Sequence, residues 1–156
     1  MQMTTLYKSL LSEFIKFKSV STDVTFATEI QKTVYWLKNT FTDNQFQVEI
    51  INNYGNPIVI AKYIADPSFQ TCLIYGHYDV QPATLEEGWE SDPFTLTERN
   101  GRLYARGAID NKGQVMIHIA SVFELIKDNN LAYNITFMIE GNEETGLKKK
   151  KKFVND

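Results

Sequence analysis

Acidic residues and one histidine follow short apolar segments at three points along the chain. They are His77 with Asp79, then Asp110, and finally Glu143 with Glu144. Each group stands just after a predicted strand or hairpin, and open α/β sheets place ligand sites beyond the carboxyl ends of their strands. If the strands near residues 73, 104 and 137 run parallel, these side chains meet at one edge of the sheet. Because an imidazole with several carboxylates suits zinc or manganese, the pattern predicts a metal site.

Each of these features also has an ordinary structural explanation. A His-x-Asp triplet is common by chance, an Asp beside glycine such as Asp110 usually forms a turn or a cap, and adjacent glutamates are usually solvated. The combination favours a site, because every group stands at a strand end beside a glycine, where backbone can approach closely.

Four other residues receive weaker assignments. His118 lies about 7 Å along the third predicted helix from its start, so packing or surface is expected for it. Cys72 stands in an apolar strand and is predicted to be a small buried hydrophobe. Trp89 and Phe94 either line a substrate cleft or cover the edge of the sheet.

The elements that must position these residues follow from the spacing of apolar side chains. Residues 6–17 and 26–41 have the helical spacing of amphipathic helices, with Ser21, Thr22 and Asp23 as capping candidates between them. Residues 46–50 and 58–64 alternate or are β-branched, which predicts two paired strands. Residues 72–75 are wholly apolar, as in a central strand covered on both faces.

The second half of the chain continues this pattern. Asn100 and Gly101 predict a hairpin between strands at 94–98 and 102–105. Residues 115–126 predict a third helix, and residues 134–139 a last strand. Together these elements predict an α/β fold with a mixed sheet and helices.

Composition excludes several classes of function. The 156 residues are 43% hydrophobic and 22% charged, typical of one folded domain, and no apolar run approaches a membrane span. Without residues 147–156, 11 basic and 18 acidic side chains remain, a net charge of −7. Their basic groups are scattered, so neither nucleic acid nor membrane is an expected partner. No export signal is evident and Cys72 stands alone, so a cytoplasmic location is expected.

Four segments, in order, carry a specific resemblance. Residues 75–83, 89–94, 101–113 and 140–146 read YGHYDVQPA, WESDPF, GRLYARGAIDNKG and EGNEETG. They resemble the carnosinase and cysteinylglycine dipeptidase branch of the aminoacylase/carboxypeptidase zinc metallopeptidase family. The resemblance implies the amino-terminal part of a zinc-peptidase catalytic domain and a dipeptide or small amide substrate.

The resemblance also implies a role for each site residue. His77 ligates one metal, Glu144 ligates the other, and Asp110 bridges both. The peptide bond between Asp110 and Asn111 is expected to be cis. Glu143 is the general base, and Asp79 holds the His77 ring. Two Zn²⁺ ions are expected in a complete site, with Mn²⁺ as a possible replacement.

The end of the chain departs from the family pattern. The family has a further metal-binding carboxylate, an inserted dimerisation domain and a late metal-binding histidine, and none of these follows Gly146. We therefore expect residues 1–146 to be a partial catalytic domain, residues 147–156 to be a lysine-rich aberrant tail, and the isolated chain to be inactive.

Two explanations of this ending stay open: a premature stop or frameshift, or a deliberately short protein with a non-catalytic metal-binding or interaction role. A third possibility is an enzyme that removes acyl groups from amino acids, although the sequence YDVQPA after His77 favours a dipeptidase.

Overall fold

A computed structural model of the protein describes residues 3–146. The lysine-rich segment predicted to be an aberrant tail lies outside the described residues. Three helices and six strands follow in chain order: α1 Met3–Ile15, α2 Ala27–Thr42, β1 Gln47–Ile51, β2 Ile58–Tyr63, β3 Thr71–His77, β4 Thr97–Arg99, β5 Arg102–Tyr104, α3 Lys112–Lys127 and β6 Asn134–Glu140. Short 3-10 turns occupy Val24–Phe26, Leu85–Glu87 and Glu143–Thr145. The α/β class predicted from the apolar spacing is confirmed.

The helices bury the apolar faces that their spacing predicted. Helix α2 buries Ile30, Val34, Leu37 and Phe41. The ring of Phe41 lies 5.1 Å from that of Phe137 on β6, and edge-on to Phe123 of α3. Large rings packed between helix and sheet bury much apolar area, which is the main stabilising contribution in such a domain.

The four-stranded sheet has the order β1-β2-β6-β3. Strands β1, β2 and β6 are antiparallel neighbours, whereas β3 runs parallel to β6 from Thr71 beside Asn134 to His77 beside Glu140. Helices α2 and α3 pack against the face that carries Val59, Ile135 and Phe137, and α1 packs on α3. Because β3 and β6 are parallel, their carboxyl ends lie together at one edge of the sheet. His77 and Asp79 stand at the end of β3, and Glu143 and Glu144 follow β6.

The position of β3 differs from the prediction of a central strand covered on both faces. Within residues 3–146, β3 is an edge strand of the sheet, and Cys72, Leu73 and Tyr75 are exposed. The prediction that Cys72 is buried is therefore wrong. An apolar run indicates β structure, but it does not state how many neighbours or layers surround the strand.

The hairpin predicted at Asn100 and Gly101 is present, and both residues have positive φ, as its tight turn requires. Its strands β4 and β5 form a separate two-stranded sheet. The strand near residue 104 therefore does not belong to the sheet of β3 and β6, so the three strands considered in the sequence do not form one parallel set. Strand β4 begins at Thr97, and Phe94 instead packs with Val20 and Val80 in a small separate cluster.

No helix within the described part of the chain is long and apolar enough to cross a membrane.

Candidate metal centre

His77 is the last residue of β3, and its ring is held between two carboxylates. The side chain is only 5% exposed. Its Nδ1 atom lies 3.0 Å from the backbone oxygen of Asp79 and 3.3 Å from Asp79 Oδ1. Its Nε2 atom lies 3.0 Å from Asp110 Oδ1. Since Nδ1–H donates toward Asp79, Nε2 is the atom available to a metal, the arrangement that metal-binding histidines usually show.

The two carboxylates also set the charge of this ring in the metal-free protein. Burial lowers the pKa of His77, but the hydrogen bond and negative charge of Asp79, together with the hydrogen bond to Asp110, outweigh it and raise the pKa to about 9. The ring is therefore cationic at neutral pH, where its charge balances that of its neighbours. A site that attracts one positive charge so strongly is electrostatically suited to a cation.

Asp110 reaches the site from the loop between β5 and α3. Its peptide bond to Asn111 is cis, as the resemblance implied. The side chain of Asn111 fastens this loop to β3, because its Oδ1 atom accepts from the backbone N–H of His77 at 3.2 Å. The close approach requires glycine at position 76, where a Cβ atom would lie 2.6 Å from Asn111 Oδ1.

Glu143 and Glu144 begin the short turn Glu143–Thr145 that follows β6. The buried carboxylate of Asp79 accepts from the backbone N–H groups of Glu143, at 3.3 Å, and Glu144, at 3.0 Å. Asp79 therefore does more than hold the His77 ring, since it also fixes the position of the turn. Glu143 is exposed and Glu144 is half-buried.

The structure brings His77, Asp110 and Glu144 together. One ligand atom from each of these three residues lies within 4.8 Å of the other two. The predicted clustering is confirmed, although Asp110 arrives from the loop after a separate hairpin. One imidazole nitrogen and two carboxylate oxygens fit zinc or manganese. Asp79 and Glu143 adjoin this cluster without belonging to it.

Two residues that support the site were not identified from the motifs. The hydroxyl of Ser21 donates to Asp79 Oδ2 at 2.6 Å, so Ser21 is not a helix cap. Asp23 caps the Val24–Phe26 turn instead. Gln81, two residues after Asp79, donates to Glu144. Gln81 stands inside a recognised segment that could have drawn attention to it, whereas no local signal links Ser21 to a residue 58 positions away.

Lys112 joins the loop of Asp110 to the end of α1. It is fully buried, and its Nζ atom donates to the backbone oxygens of Phe14, at 3.1 Å, and Phe17, at 2.7 Å. Burial lowers the pKa of Lys112 to about 7, although the charges of Asp79 and Glu29 oppose this shift. These bonds satisfy carbonyls at a helix end, where a cation is also favoured by the helix dipole.

The residues with weaker assignments divide into two groups. His118 is exposed on α3, as expected for packing or surface. Trp89 lines a recess of about 660 Å³ whose wall also includes residues 102–110, and hence Asp110. Phe94 is buried away from that recess. Of the two aromatic residues, only Trp89 therefore lies where a substrate could pass.

Comparisons with known proteins identify relatives of this chain. The chain matches the peptidase family M20/M25/M40 over residues 73–155. It is 49% identical over 92 residues to the Beta-Ala-His dipeptidase of Mus musculus, covering 58% of this chain and 18% of that protein. It is 38% identical over 149 residues to the Cys-Gly metallodipeptidase of Schizosaccharomyces pombe, covering 87% of this chain and 31% of that protein.

Solved structures show the same relationship. Human carnosine dipeptidase 1 superposes with a TM-score of 0.82 at 33% identity, covering 95% of this chain and 34% of that one. The di-peptidase Dug1p of Saccharomyces cerevisiae superposes with a TM-score of 0.86 at 25% identity, covering 97% and 35%. The chain thus spans between about a fifth and a third of the length of these relatives. With the family match extending over more than half of its residues, the chain belongs to peptidase family M20/M25/M40.

Proposed function

We propose that this chain contributes to the active site of a dipeptidase that hydrolyses a peptide or amide bond with a metal-activated water. The observation that carries the proposal is the convergence of His77, Asp110 and Glu144 on one point. When bound, a pair of divalent ions supplies carbonyl polarisation and a more acidic water, which is the chemistry that amide hydrolysis needs. Zn²⁺ is the proposed metal, with Mn²⁺ as the alternative.

The residues of the chain have separate tasks in this proposal. His77 and Glu144 would each hold one ion, and Asp110 would be the ligand shared by the two. Asp79 keeps the His77 ring in the tautomer that leaves Nε2 available. Glu143, exposed beside the cluster, takes the proton from the attacking water and returns it to the departing amine.

The substrate class is proposed from the relatives. Their names specify Beta-Ala-His and Cys-Gly as substrates of those proteins. We extend only the common feature, a dipeptide, to this chain, and retain N-acyl amino acids as the competing substrate class. A cytoplasmic location belongs to the same proposal, because a lone cysteine suits a reducing compartment.

We also propose that residues 1–146 are part of a catalytic domain and that the 156-residue chain alone does not turn over substrate. The described residues bring together three metal ligands, whereas each catalytic zinc normally takes about three of its own. The same count favours the second candidate function, a non-catalytic metal-binding module.

Metal binding is the first test. The purified chain should bind zinc measurably in a competition titration, and His77→Ala and Glu144→Gln should each weaken that binding by at least about tenfold, since each removes a ligand. His118→Ala is the matched control, because it removes an exposed histidine that is not part of the cluster, and it should bind as the wild type does. Equal binding by all four proteins would overturn the proposed centre.

Substrate turnover tests the expected inactivity of the isolated chain. The zinc-loaded chain should be assayed on Beta-Ala-His, Cys-Gly and an N-acetyl amino acid beside a Glu143→Ala control. We expect no turnover above the control, and activity above it would contradict the expected inactivity.

A chimera in which residues 1–146 replace the matching part of the Cys-Gly metallodipeptidase of Schizosaccharomyces pombe tests the catalytic role directly. It should hydrolyse Cys-Gly. A folded, zinc-loaded chimera without activity would favour the non-catalytic module.

A further inference from the structure

The side chain of Gln81 donates two hydrogen bonds to Glu144, one of the three candidate ligands. It lies just beyond the end of β3 and is half-buried. Its Nε2 atom donates to the backbone oxygen of Glu144 at 3.0 Å and to Glu144 Oε2 at 2.9 Å. Both partners can only accept, so the amide nitrogen, not the amide oxygen, must face Glu144.

These two bonds restrict both parts of Glu144. The bond to the backbone oxygen fixes the turn, and the bond to Oε2 limits rotation of the carboxyl group while leaving its other oxygen able to bind a cation. A ligand that is already ordered loses less conformational entropy when it binds a metal. Hydrogen bonds of this kind to metal ligands typically change metal affinity by about 10- to 100-fold.

Gln81 and Asp79 bind different atoms of the same turn. Asp79 accepts from the backbone N–H groups of Glu143 and Glu144, whereas Gln81 donates to the oxygen atoms of Glu144. The two residues lie on one extended segment and are separated by the buried Val80. The end of β3 and the segment that follows it therefore supply the ligand His77 and also the two side chains that position Glu144.

We infer that Gln81 is a positioning residue for Glu144, which holds its carboxylate in the orientation that a metal ion requires. This inference rests on the proposed metal centre. Gln81 itself contacts neither metal nor substrate in this role, and its effect on metal affinity is exerted through Glu144.

Two substitutions test the inference in the full 156-residue chain. Gln81→Met keeps the length of the side chain and removes the donor. Gln81→Asn keeps the amide but shortens its reach by one methylene. Both should weaken zinc binding by about 10- to 100-fold in a chelator competition titration. The melting temperature of the metal-free protein should change by less than about 3 °C, the equivalent of roughly 1 kcal/mol. Gln31→Met, on the exposed surface of α2, is the matched control and should leave both quantities unchanged.

The possible results are distinguishable. Zinc affinity equal to that of the wild type in both Gln81 variants would overturn the inference and leave the metal centre intact. A comparable loss of metal-free stability in both variants would also overturn it, because Gln81 would then support the fold and not the ligand. A wild-type chain that binds no zinc would overturn the proposed metal centre and the inference together.

Discussion

At the level of single residues, the protonation of His77 links the metal centre to pH. The ring is buried between Asp79 and Asp110, and the negative charges stabilise the imidazolium more than burial destabilises it. A metal can bind Nε2 only when the proton has left the nitrogen that faces Asp110. The two carboxylates thus attract the metal cation, and they also strengthen the binding of the proton that competes with it for His77.

This competition predicts a pH dependence of metal affinity. The pKa of His77 in the folded, metal-free chain is raised to about 9, so the ring is protonated below that pH. Zinc affinity should rise about tenfold per pH unit between pH 7 and 9, because one proton is released from His77, and should level off above pH 9. Competition titrations at several pH values, in buffers that do not bind zinc, measure this slope.

Asp79→Asn supplies the control for this prediction. The substitution removes the neighbouring negative charge, so the pKa of His77 should fall and the affinity should level off at a lower pH. A zinc affinity that does not change between pH 7 and 8.5 in the wild type would contradict the assignment of His77 as a cationic ligand residue.

At the level of elements, the start of α3 fixes the position of the Asp110 loop. The backbone N–H of Gly113 donates to the backbone oxygen of Gly107 at 3.0 Å. A Cβ atom at position 113 would lie 1.9 Å from the carbonyl oxygen of Ala108, a contact that no side chain can make. The helix and the loop can approach this closely only because residue 113 is glycine.

Gly113→Ala should therefore displace the loop and weaken the protein. We expect a loss of about 2 kcal/mol or more in the free energy of unfolding, since overpacking against rigid backbone typically costs about 1–3 kcal/mol and sometimes more. Zinc affinity should fall as well, because Asp110 lies on the displaced loop. Urea unfolding and zinc titration measure the two effects.

His118→Ala on the exposed side of the same helix is the matched substitution for stability, with an expected change within about 0.5 kcal/mol. If the urea-unfolding midpoint of Gly113→Ala coincided with that of His118→Ala, the close contact at Gly113 would have no structural importance.

At the level of the whole molecule, the two faces of the sheet are covered differently. Helices α2 and α3 pack on one face, and α1 packs on α3. On the other face, Leu73 is 61% exposed and Tyr75 is 51% exposed, both on the last strand of the described sheet. An apolar strand at a sheet edge favours association with other chains, both through its backbone and through its side chains.

Leu73→Lys should accordingly reduce self-association of the 156-residue chain without unfolding it. A charged side chain at an exposed edge position opposes strand pairing between molecules, and an exposed leucine contributes little to the core. Sedimentation velocity across a concentration series measures the change.

Leu85→Lys is the control, since Leu85 is 56% exposed in a short turn outside the sheet. An equal reduction by both substitutions would show that general charge, and not the strand edge, controls association.

Local patterns predicted much of this protein. Apolar spacing predicted α1, α2 and α3, because a helix that packs on a sheet must repeat its apolar residues every three or four positions. Asn100 and Gly101 predicted the hairpin, because few residue pairs accept two positive φ angles. The motifs also indicated His77, Asp110 and Glu144 as candidate ligands, and those three residues do lie together.

Long-range pairing produced the remaining features. The exposure of Cys72 follows from the place of β3 in the sheet, and Asp110 reaches the cluster through a separate hairpin. Ser21 contacts Asp79 across 58 positions, and Gln81 contacts Glu144 across 63. Spacing along a chain reports the period of one element, whereas burial, strand order and hydrogen bonds between loops depend on which elements become neighbours. Packing of the whole core determines which elements become neighbours, so a local sequence pattern cannot predict these contacts.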